Sequence, residues 1–491
     1  MLTRNDWKIV LRPLWVPLAG EGLAMGLCVW PALHFGDGTV WRMLLAAALT
    51  LGAAWGLRAL LRSHLPHGEA VGDKRMSYVT VTLMWVVMTL FGMLPFLLTG
   101  SCRTVTDAFF ESMSGLTSTG ATIFPDVEAL PQSVLLWRSV SEWMGGFGII
   151  LLVLAVVPRL GLNKYSLYTA EASGADNTGK TTTTMRSTVQ HTLAVYVLLT
   201  LAFVVLLRLS GMTLWEAVNL TFTNISTGGF SIYSDSIARF TPAQQYLLAG
   251  AMLAGGVNFA LLYNFFTFRW SKIKHKLDQF GFYIGLAVLA TAFAVGALYL
   301  HHNMALGDAV RIGVVQTVSQ LTTTGSVVAD TTSWWAPVVL LFLVLPFCGG
   351  MAGSTTGGVK VMRLLILFRN VRNVLKNRLH PHAYNPVRLN GKPVTDEMIT
   401  NVMVIFIVFV VTLLVGLLLL MLSGVAATES IGAVIGCVTT FGPGLGPSGG
   451  FGSYVAFPLC AKWICSFLML LGRLECLTVL ILLLPGFWRR R

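Results

Sequence analysis

The sequence predicts an all-α polytopic membrane protein: an N-terminal two-helix hairpin, then four copies of one span–half-helix–loop–span unit. Three observations carry this. Of the 491 residues, 55% are hydrophobic and only 11% charged, at a mean hydropathy of +0.72. Soluble domains carry about 25% charged residues, and no charge-rich stretch here is long enough to form one. The net charge of +13 is concentrated: 26 of the 34 Lys and Arg fall in 4–12, 58–75, 159–186, 269–276, 360–392 and 489–491. Between these clusters lie apolar runs of roughly 20 residues, enough to cross a bilayer. Third, one residue pattern recurs four times.

Positive loops mark the cytoplasmic side of a membrane protein. Each stretch between basic clusters then goes out and comes back, and both termini lie inside. The same placement argues against a nucleic-acid footprint, so no nucleic-acid partner is expected. The start, MLTRNDWKIVLRPLWVPLAG, has a basic flank but no small-residue cleavage site, and is expected to be retained. The seven cysteines (28, 102, 348, 437, 460, 465, 476) form no CxxC pair. They are expected to be small buried hydrophobes, not a metal or disulfide framework.

Residues 1–75 are the hairpin, crossing at about 13–62 with a short outer turn near HFGDG. The repeats are assigned to 76–165, 166–276, 277–392 and 393–491. Each opens on an apolar span. An acid and a small or apolar pair follow: DAF at Asp107, EAV at Glu216, DAV at Asp308, ESI at Glu429. A half-length amphipathic stretch comes next, too short to cross. It ends in LTSTGAT (Gly120), NISTGGF (Gly228), LTTTGSV (Gly325) or VTTFGPG (Gly442), spaced by 108, 97 and 117 residues. Asp308 stands four residues too far from its glycine, about one helical turn; an extra turn or a different alignment would explain it. A second apolar span then returns inward. It carries a small-residue mark 24–30 residues after the glycine: Gly145-Gly146, Gly255-Gly256, Gly349-Gly350 and Gly472-Arg473. Recurrence at such a period means one copied supersecondary unit.

Backbone that is neither helix nor closed sheet cannot face lipid, because each unpaired polar group costs several kcal/mol. Four short loops at membrane depth therefore imply a cavity. Glycine supplies the positive φ that lets successive carbonyls point one way. Carbonyls aimed inward from four sides can replace the water around a potassium ion, and half-helix dipoles can tune the site. A single S/T-T-G is an ordinary turn; four at the same place in a repeat are not. Asp126, Asp235 and Asp330 follow three of the glycines and either raise cation concentration at the mouth or are solvated loop acids.

The stretch GGMAGSTTGGVK (349–360) looks at first like a phosphate loop. Its spacing is wrong for G-x-x-x-x-G-K-[ST], no hydroxyl follows the lysine, and it lies mid-span, far from any strand. It is expected instead to break the third inner span below the loops as a mobile gate made of Gly349, Gly350, Gly353, Ser354, Thr355, Thr356, Gly357 and Gly358. A kink for close packing is the alternative. Arg473 lies deep in the last span, where charges are costly and usually functional. It is expected either to face the pore as a barrier to cations or to bridge to Glu475 or Glu142. Arg138 and Glu142, at i and i+4, are expected to pair locally.

TDAFFESMSGLTSTGAT, GGMAGSTTGGVKVMR, FGPGLG and the closing AKW…GRLE…PGFWR resemble the membrane subunits of the Trk/Ktr/HKT potassium transporters over essentially the whole chain. The extra hairpin resembles the Trk branch. The resemblance implies a homodimer in the lipid of a bacterial inner membrane, one pore per protomer, and K+ as the transported ion with no organic cofactor. It implies a filter of backbone carbonyls at Ser118-Thr119-Gly120, Ser226-Thr227-Gly228, Thr323-Thr324-Gly325 and Thr440-Phe441-Gly442. Glycine at the first position goes with potassium in that family, serine with sodium preference. The break at 349–358 matches the family's gating loop and Arg473 its pore arginine. The implied partner is a cytoplasmic TrkA-type ring of NAD-, ATP- or ADP-binding regulatory domains, docking where 159–186, 269–276 and 369–392 are exposed.

Two other functions compete. A proton- or sodium-coupled symporter calls for an ionisable group that changes protonation at the midplane, and only Glu142 and Glu475 suit. A membrane enzyme calls for converging Asp, His or Glu, which the scattered histidines (His301, His302, His380, His382) do not provide; no enzyme activity is expected.

Overall fold

The computed structural model describes residues 4–61, 74–160, 185–270, 277–380 and 386–488. Most of the basic segments 159–186 and 269–276, and all of 489–491, lie outside the described residues. Among the described residues six helices are long and apolar enough to cross a membrane, or up to eight if each bent helix pair is one span.

The N-terminal hairpin pairs Trp15–Leu27 and Val29–Phe35 with Val40–Leu61. Gly22 lets the two arms touch, since a Cβ there would lie 2.7 Å from Leu51 Cγ. The outer turn uses left-handed Gly36. Asp37 accepts the Thr39 N–H at 3.0 Å and the Ser133 N–H at 3.1 Å. The turn is thereby tied to the start of the first inner span.

The same order of elements then occurs four times. The outer spans are Lys74–Gly92, Met185–Leu209, Leu277–His301 and Asp396–Leu422. Outward leucines such as Leu289 and Leu414 are exposed, as expected of helices against hydrocarbon. The half-helices are Val105–Leu116, Leu214–Ile225, Leu306–Leu321 and Ala427–Val438. Three have 12 residues and the third has 16. The displaced Asp308 thus marks one extra helical turn, not a misalignment.

The acids that mark each unit sit in the first turn of a half-helix, where a negative charge meets the positive end of the helix dipole. Thr104 Oγ1 accepts the Asp107 N–H at 3.1 Å. Thr213 and Glu216 form a reciprocal capping box, which satisfies two of the donors a helix start leaves open. Asp107 also pairs with Lys462 at 2.7 Å, joining the first repeat to the fourth.

The inner spans depart from expectation. Only the first, Gln132–Leu160, is continuous. The second bends by 106° between Pro242–Gly255 and Phe259–Phe266, and the fourth by 110° after Arg473. Asn258 restarts the second by capping the Leu261 N–H at 3.0 Å. In the fourth, Glu475 and Cys476 take φ of 56° and 57°, which no right-handed helix accommodates. The third is interrupted between Ala336–Cys348 and Val361–Leu379. A break is therefore common to three repeats; what sets the third apart is its length. Among the described residues the only strands are Arg388–Leu389 and Lys392–Pro393, an antiparallel hairpin in the linker before the fourth repeat.

Candidate ion pathway and gating loop

Each half-helix ends on a hydroxyl cap: Thr117, Ser226, Thr322 and Thr439. The next residue crosses into the left-handed region, at φ 52° for Ser118, 55° for Thr227, 54° for Thr323 and 53° for Thr440. Two residues on stands a glycine at positive φ: Gly120 at 78°, Gly229 at 87°, Gly325 at 80° and Gly442 at 94°. The residue between donates its N–H five residues back, Thr119 to Ser114, Gly228 to Thr223, Thr324 to Ser319 and Phe441 to Gly436, at 2.8–2.9 Å. Four non-glycine residues at φ > 0 are costly unless the surroundings fix them.

This pattern corrects the second segment by one residue. It is Thr227-Gly228-Gly229, not Ser226-Thr227-Gly228; Ser226 is the helix cap, the counterpart of Thr117. Matching STG to STG selected the wrong glycine of a consecutive pair.

The four corners close a ring. A Cβ on Gly120 would lie 2.0 Å from the Gly228 carbonyl oxygen. One on Gly229 would lie 1.8 Å from Thr324 O, one on Gly325 2.2 Å from Phe441 O, and one on Gly442 2.2 Å from Thr119 O. Segment one abuts two, two abuts three, three abuts four, and four returns to one. No side chain fits at any corner. The same four glycines line a shared cavity with Ala121, Phe230 and Tyr454. Tyr454 donates its hydroxyl to Gly442 O at 2.8 Å, so one lone pair of that carbonyl is already engaged.

The small-residue marks on the inner spans serve close approach. A Cβ on Gly145 would lie 1.9 Å from Leu116 O, on Gly255 2.6 Å from Ile225 O, and on Gly472 2.2 Å from Val438 O. Each inner span therefore presses on the last residue of its own half-helix.

The third repeat differs here, because the 349–360 loop fills the space. Thr355 Oγ1 donates to Ile225 O at 3.0 Å or Gly255 O at 3.1 Å. Gly357 N–H donates to Thr323 Oγ1 at 2.7 Å, and Gly358 N–H to Thr439 O at 3.1 Å. Met351 N–H reaches Gly256 O at 2.9 Å, and Asn258 Nδ2 donates to Ala352 O. The loop is thus fastened to the ends of the second, third and fourth half-helices. Its backbone bends through Gly349, Gly353 and Gly358 at φ of 63°, 77° and 70°, and through Lys360 at 75°. Lys360 Nζ donates to Thr356 O.

Arg473 donates to Thr355 O of the loop at 3.0 Å and to Gly145 O at 2.5 Å. Of the two acids expected as bridging partners of Arg473, Glu475 pairs with Arg363 at 2.5 Å. The Arg138–Glu142 pair is also corrected. Arg138 Nε bonds Glu111 at 2.8 Å, with both side chains buried, and Nη1 donates to Ser231 O at 2.8 Å. Its guanidinium lies 4.0 Å from the Phe230 ring. Glu142 instead accepts the Phe230 N–H with both oxygens at 3.1 Å. At the mouth, Asp235 is bound by Arg239 at 2.8 Å, and the same guanidinium holds Glu128 at 2.6 Å. Asp330 caps Thr332 at 2.9 Å, and Asp126 accepts the Glu128 N–H at 3.1 Å. Asp235 is therefore ion-paired, and the trio keeps a net charge of −1. Of the cysteines, Cys460 is exposed and Cys348 half-buried; the other five are buried. Among the described residues no group of three or more His, Cys, Asp or Glu is placed to hold a metal ion.

The sequence alone did not single out Glu111, Asn258, Arg363 or Gly229. Glu111 had a signal: a charge inside an apolar half-helix needs a buried partner.

Four half-helices whose glycine loops close on one another, inside a bundle of apolar spans, define a polytopic membrane protein with a loop-built centre. A family model described as TrkH, cation transport protein, matches residues 56–487. The Trk system potassium uptake protein TrkH of Halomonas elongata is 32% identical over 493 residues, covering 98% of this chain and 99% of that one. The protein of the same name from Salmonella typhimurium is 33% identical over 419 residues, covering 84% and 86%. The crystal structure of the potassium transporter TrkH from Vibrio parahaemolyticus superposes with a TM-score of 0.87 at 30% identity, covering 98% of this chain and all of that one. The chain belongs to the TrkH family of cation transport proteins.

Proposed function

We propose that this chain is the potassium-conducting membrane subunit of a bacterial uptake system. Carbonyls of Thr119, Gly228, Thr324 and Phe441, with those of their neighbours in each segment, stand in for the water around the ion. The observation that carries this is the cyclic contact of the four glycine corners, each against the carbonyl of the next segment. The half-helices present their C-terminal, partly negative ends to the same place. Relatives named as potassium uptake proteins cover nearly the whole chain.

The 349–358 loop is the gate, closed in this conformation by its bonds to Ile225, Thr323, Thr439 and Arg473. A cytoplasmic TrkA-type nucleotide-binding ring opens it by acting on the inner face, and two copies of the chain form the membrane dimer, with both termini in the cytoplasm of a bacterial inner membrane. Catalysis plays no part. Ion coupling is the weaker reading, because Glu475 is held in an ion pair with Arg363 and Glu142 is engaged by the Phe230 N–H.

Ion flux in proteoliposomes tests this. Gly120→Ser puts a side chain where Gly228 O stands and is expected to relax potassium over sodium. Deletion of 353–358 is expected to raise basal flux. Unchanged selectivity in the first counts against the filter; unchanged or lower flux in the second counts against the gate.

A further inference from the structure

Glu142 lies one layer behind the ring and has no role in the reading above. Its side chain is fully buried. The three inner-span glycines that press on half-helix ends, Gly145, Gly255 and Gly472, align the inner spans. Three residues before each stands Glu142, Met252 or Met469, all buried. A carboxylate occupies this place in the first repeat alone, where the other two carry methionine.

What faces it explains the difference. The middle residue of each loop segment is Thr119, Gly228, Thr324 or Phe441. Three have side chains; the second has none. A Cβ on Gly228 would lie 2.3 Å from Glu142 Cδ and 2.5 Å from its Oε2. The carboxyl group therefore fills the slot that a side chain fills in the other segments. It also accepts the Phe230 N–H just beyond the corner Gly229, at 3.1 Å from both oxygens. On its other side Oε1 lies 3.6 Å from the Cβ direction of Gly120, and the Glu142 carbonyl accepts from Ser118 Oγ at 3.4 Å. One residue touches both of the first two segments. A turn higher, Arg138 ties the strands that leave the same two segments, through Glu111 to Ile123 and directly to Ser231 O.

We propose that Glu142 is a specificity-determining positioning residue: a side chain borrowed from the first inner span that sets the carbonyls of the second filter segment. Without it, Gly228-Gly229 is two adjacent glycines with no side chain to hold either peptide plane, and glycine is the residue freest to rotate. A filter that can reshape accepts ions of other radii. The carboxylate acts by shape and by its bond to Phe230, so glutamine, which keeps an accepting oxygen, supports the segment and alanine does not. This rests on the four-segment filter proposed above.

The experiment is the potassium-to-sodium permeability ratio, read from reversal potentials in proteoliposomes under opposed gradients. Glu142→Ala is expected to lower the ratio by up to about tenfold, the upper end of what one hydrogen bond contributes. Glu142→Gln keeps most of it. Gly228→Thr alone collides with the carboxyl group and lowers the ratio. Glu142→Ala with Gly228→Thr rebuilds the arrangement at Thr119 and Thr324, and its ratio recovers above either single variant, the non-additivity of residues in contact.

A wild-type ratio in Glu142→Ala or in Gly228→Thr overturns the proposal. So does a loss in Glu142→Gln as large as in alanine, or a pair no better than its worse member. Recovery of monodisperse protein is scored in parallel. If Glu142→Ala is not recovered and the pair is, the slot is confirmed; if neither is, the proposal falls. Gly120→Ser, run beside these, separates the two levels. No effect there removes the filter itself, whereas an effect there with none at Glu142 removes only this inference.

Discussion

Arg473→Ala is the perturbation that separates a gate from a packed kink. In the observed conformation the guanidinium donates to Thr355 O at 3.0 Å and to Gly145 O at 2.5 Å. Only the first bond reaches the loop. The second joins two inner spans and is the same whether the loop is in or out, so it cancels. A hydrogen bond from a charged donor contributes about 1.5–3 kcal/mol. At 1.4 kcal/mol per factor of ten, losing it shifts the loop from closed toward open by roughly 12- to 140-fold. Removing a fixed positive charge below the filter also lowers the barrier to cations, in the same direction. The assay is potassium-driven flux into proteoliposomes with no regulatory subunit present, scored per mole of reconstituted protein. Thr355→Val removes a neutral hydroxyl that donates to Ile225 O or Gly255 O and accepts from Thr227 Oγ1 at 3.3 Å, so its gain per bond is smaller, about 2- to 12-fold for 0.5–1.5 kcal/mol. Basal flux that stays flat or falls in Arg473→Ala, with protein intact, would refute the reasoning.

The corrected register has its own test. Gly229→Ala directs a methyl group at Thr324 O, 1.8 Å away, and should disturb potassium selectivity as Gly120→Ser does. Gly20→Ala, with nothing within 4 Å, should leave transport as it is and stabilise the first helix by up to about 1 kcal/mol; equal effects at the two sites would undo the assignment. The Arg363–Glu475 pair joins the helix after the 349–360 loop to the break beside Arg473. Arg363 is almost fully buried there, with its side chain 1% exposed. Removing one member of a buried pair costs about 3–5 kcal/mol, and less where, as here, the Glu475 that remains is 14% exposed. Arg363→Met should therefore lower the thermal stability of the detergent-solubilised protein, while Arg363→Met with Glu475→Leu recovers most of it. A single variant as stable as wild type would show that the pair holds nothing.

Much of this architecture was legible in the chain because membrane burial writes long, uniform signals. Apolar runs, basic clusters and a recurring acid–half-helix–glycine unit are properties of tens of residues. The acids were legible for a reason the pattern did not state: they are helix starts, as the Thr213–Glu216 box shows. What stayed hidden depends on single contacts across the bundle. Gly228 and Gly229 are indistinguishable by composition, and only the backbone angle of Gly229 and its contact with Thr324 O, 95 residues downstream in sequence, say which one is the corner. The i, i+4 spacing of Arg138 and Glu142 pointed to a local pair. Arg138 is instead held by Glu111 of the first half-helix, and Glu142 by the Phe230 N–H of the second loop. The bends at Asn258 and Glu475 leave no mark in hydropathy. Both fall where a glycine lets the inner span press on a half-helix, and beyond that contact the chain turns away.

The central claim is that four segments of backbone take the place of water around one dehydrated monovalent cation. Anomalous diffraction from crystals grown in thallium or rubidium salt tests it most directly. The account predicts a peak on the axis between Thr119, Gly228, Thr324 and Phe441, ringed by their carbonyl oxygens and lost when the salt is replaced by sodium. A peak held by side-chain carboxylates away from that axis, or an axis empty at saturating salt, would contradict it.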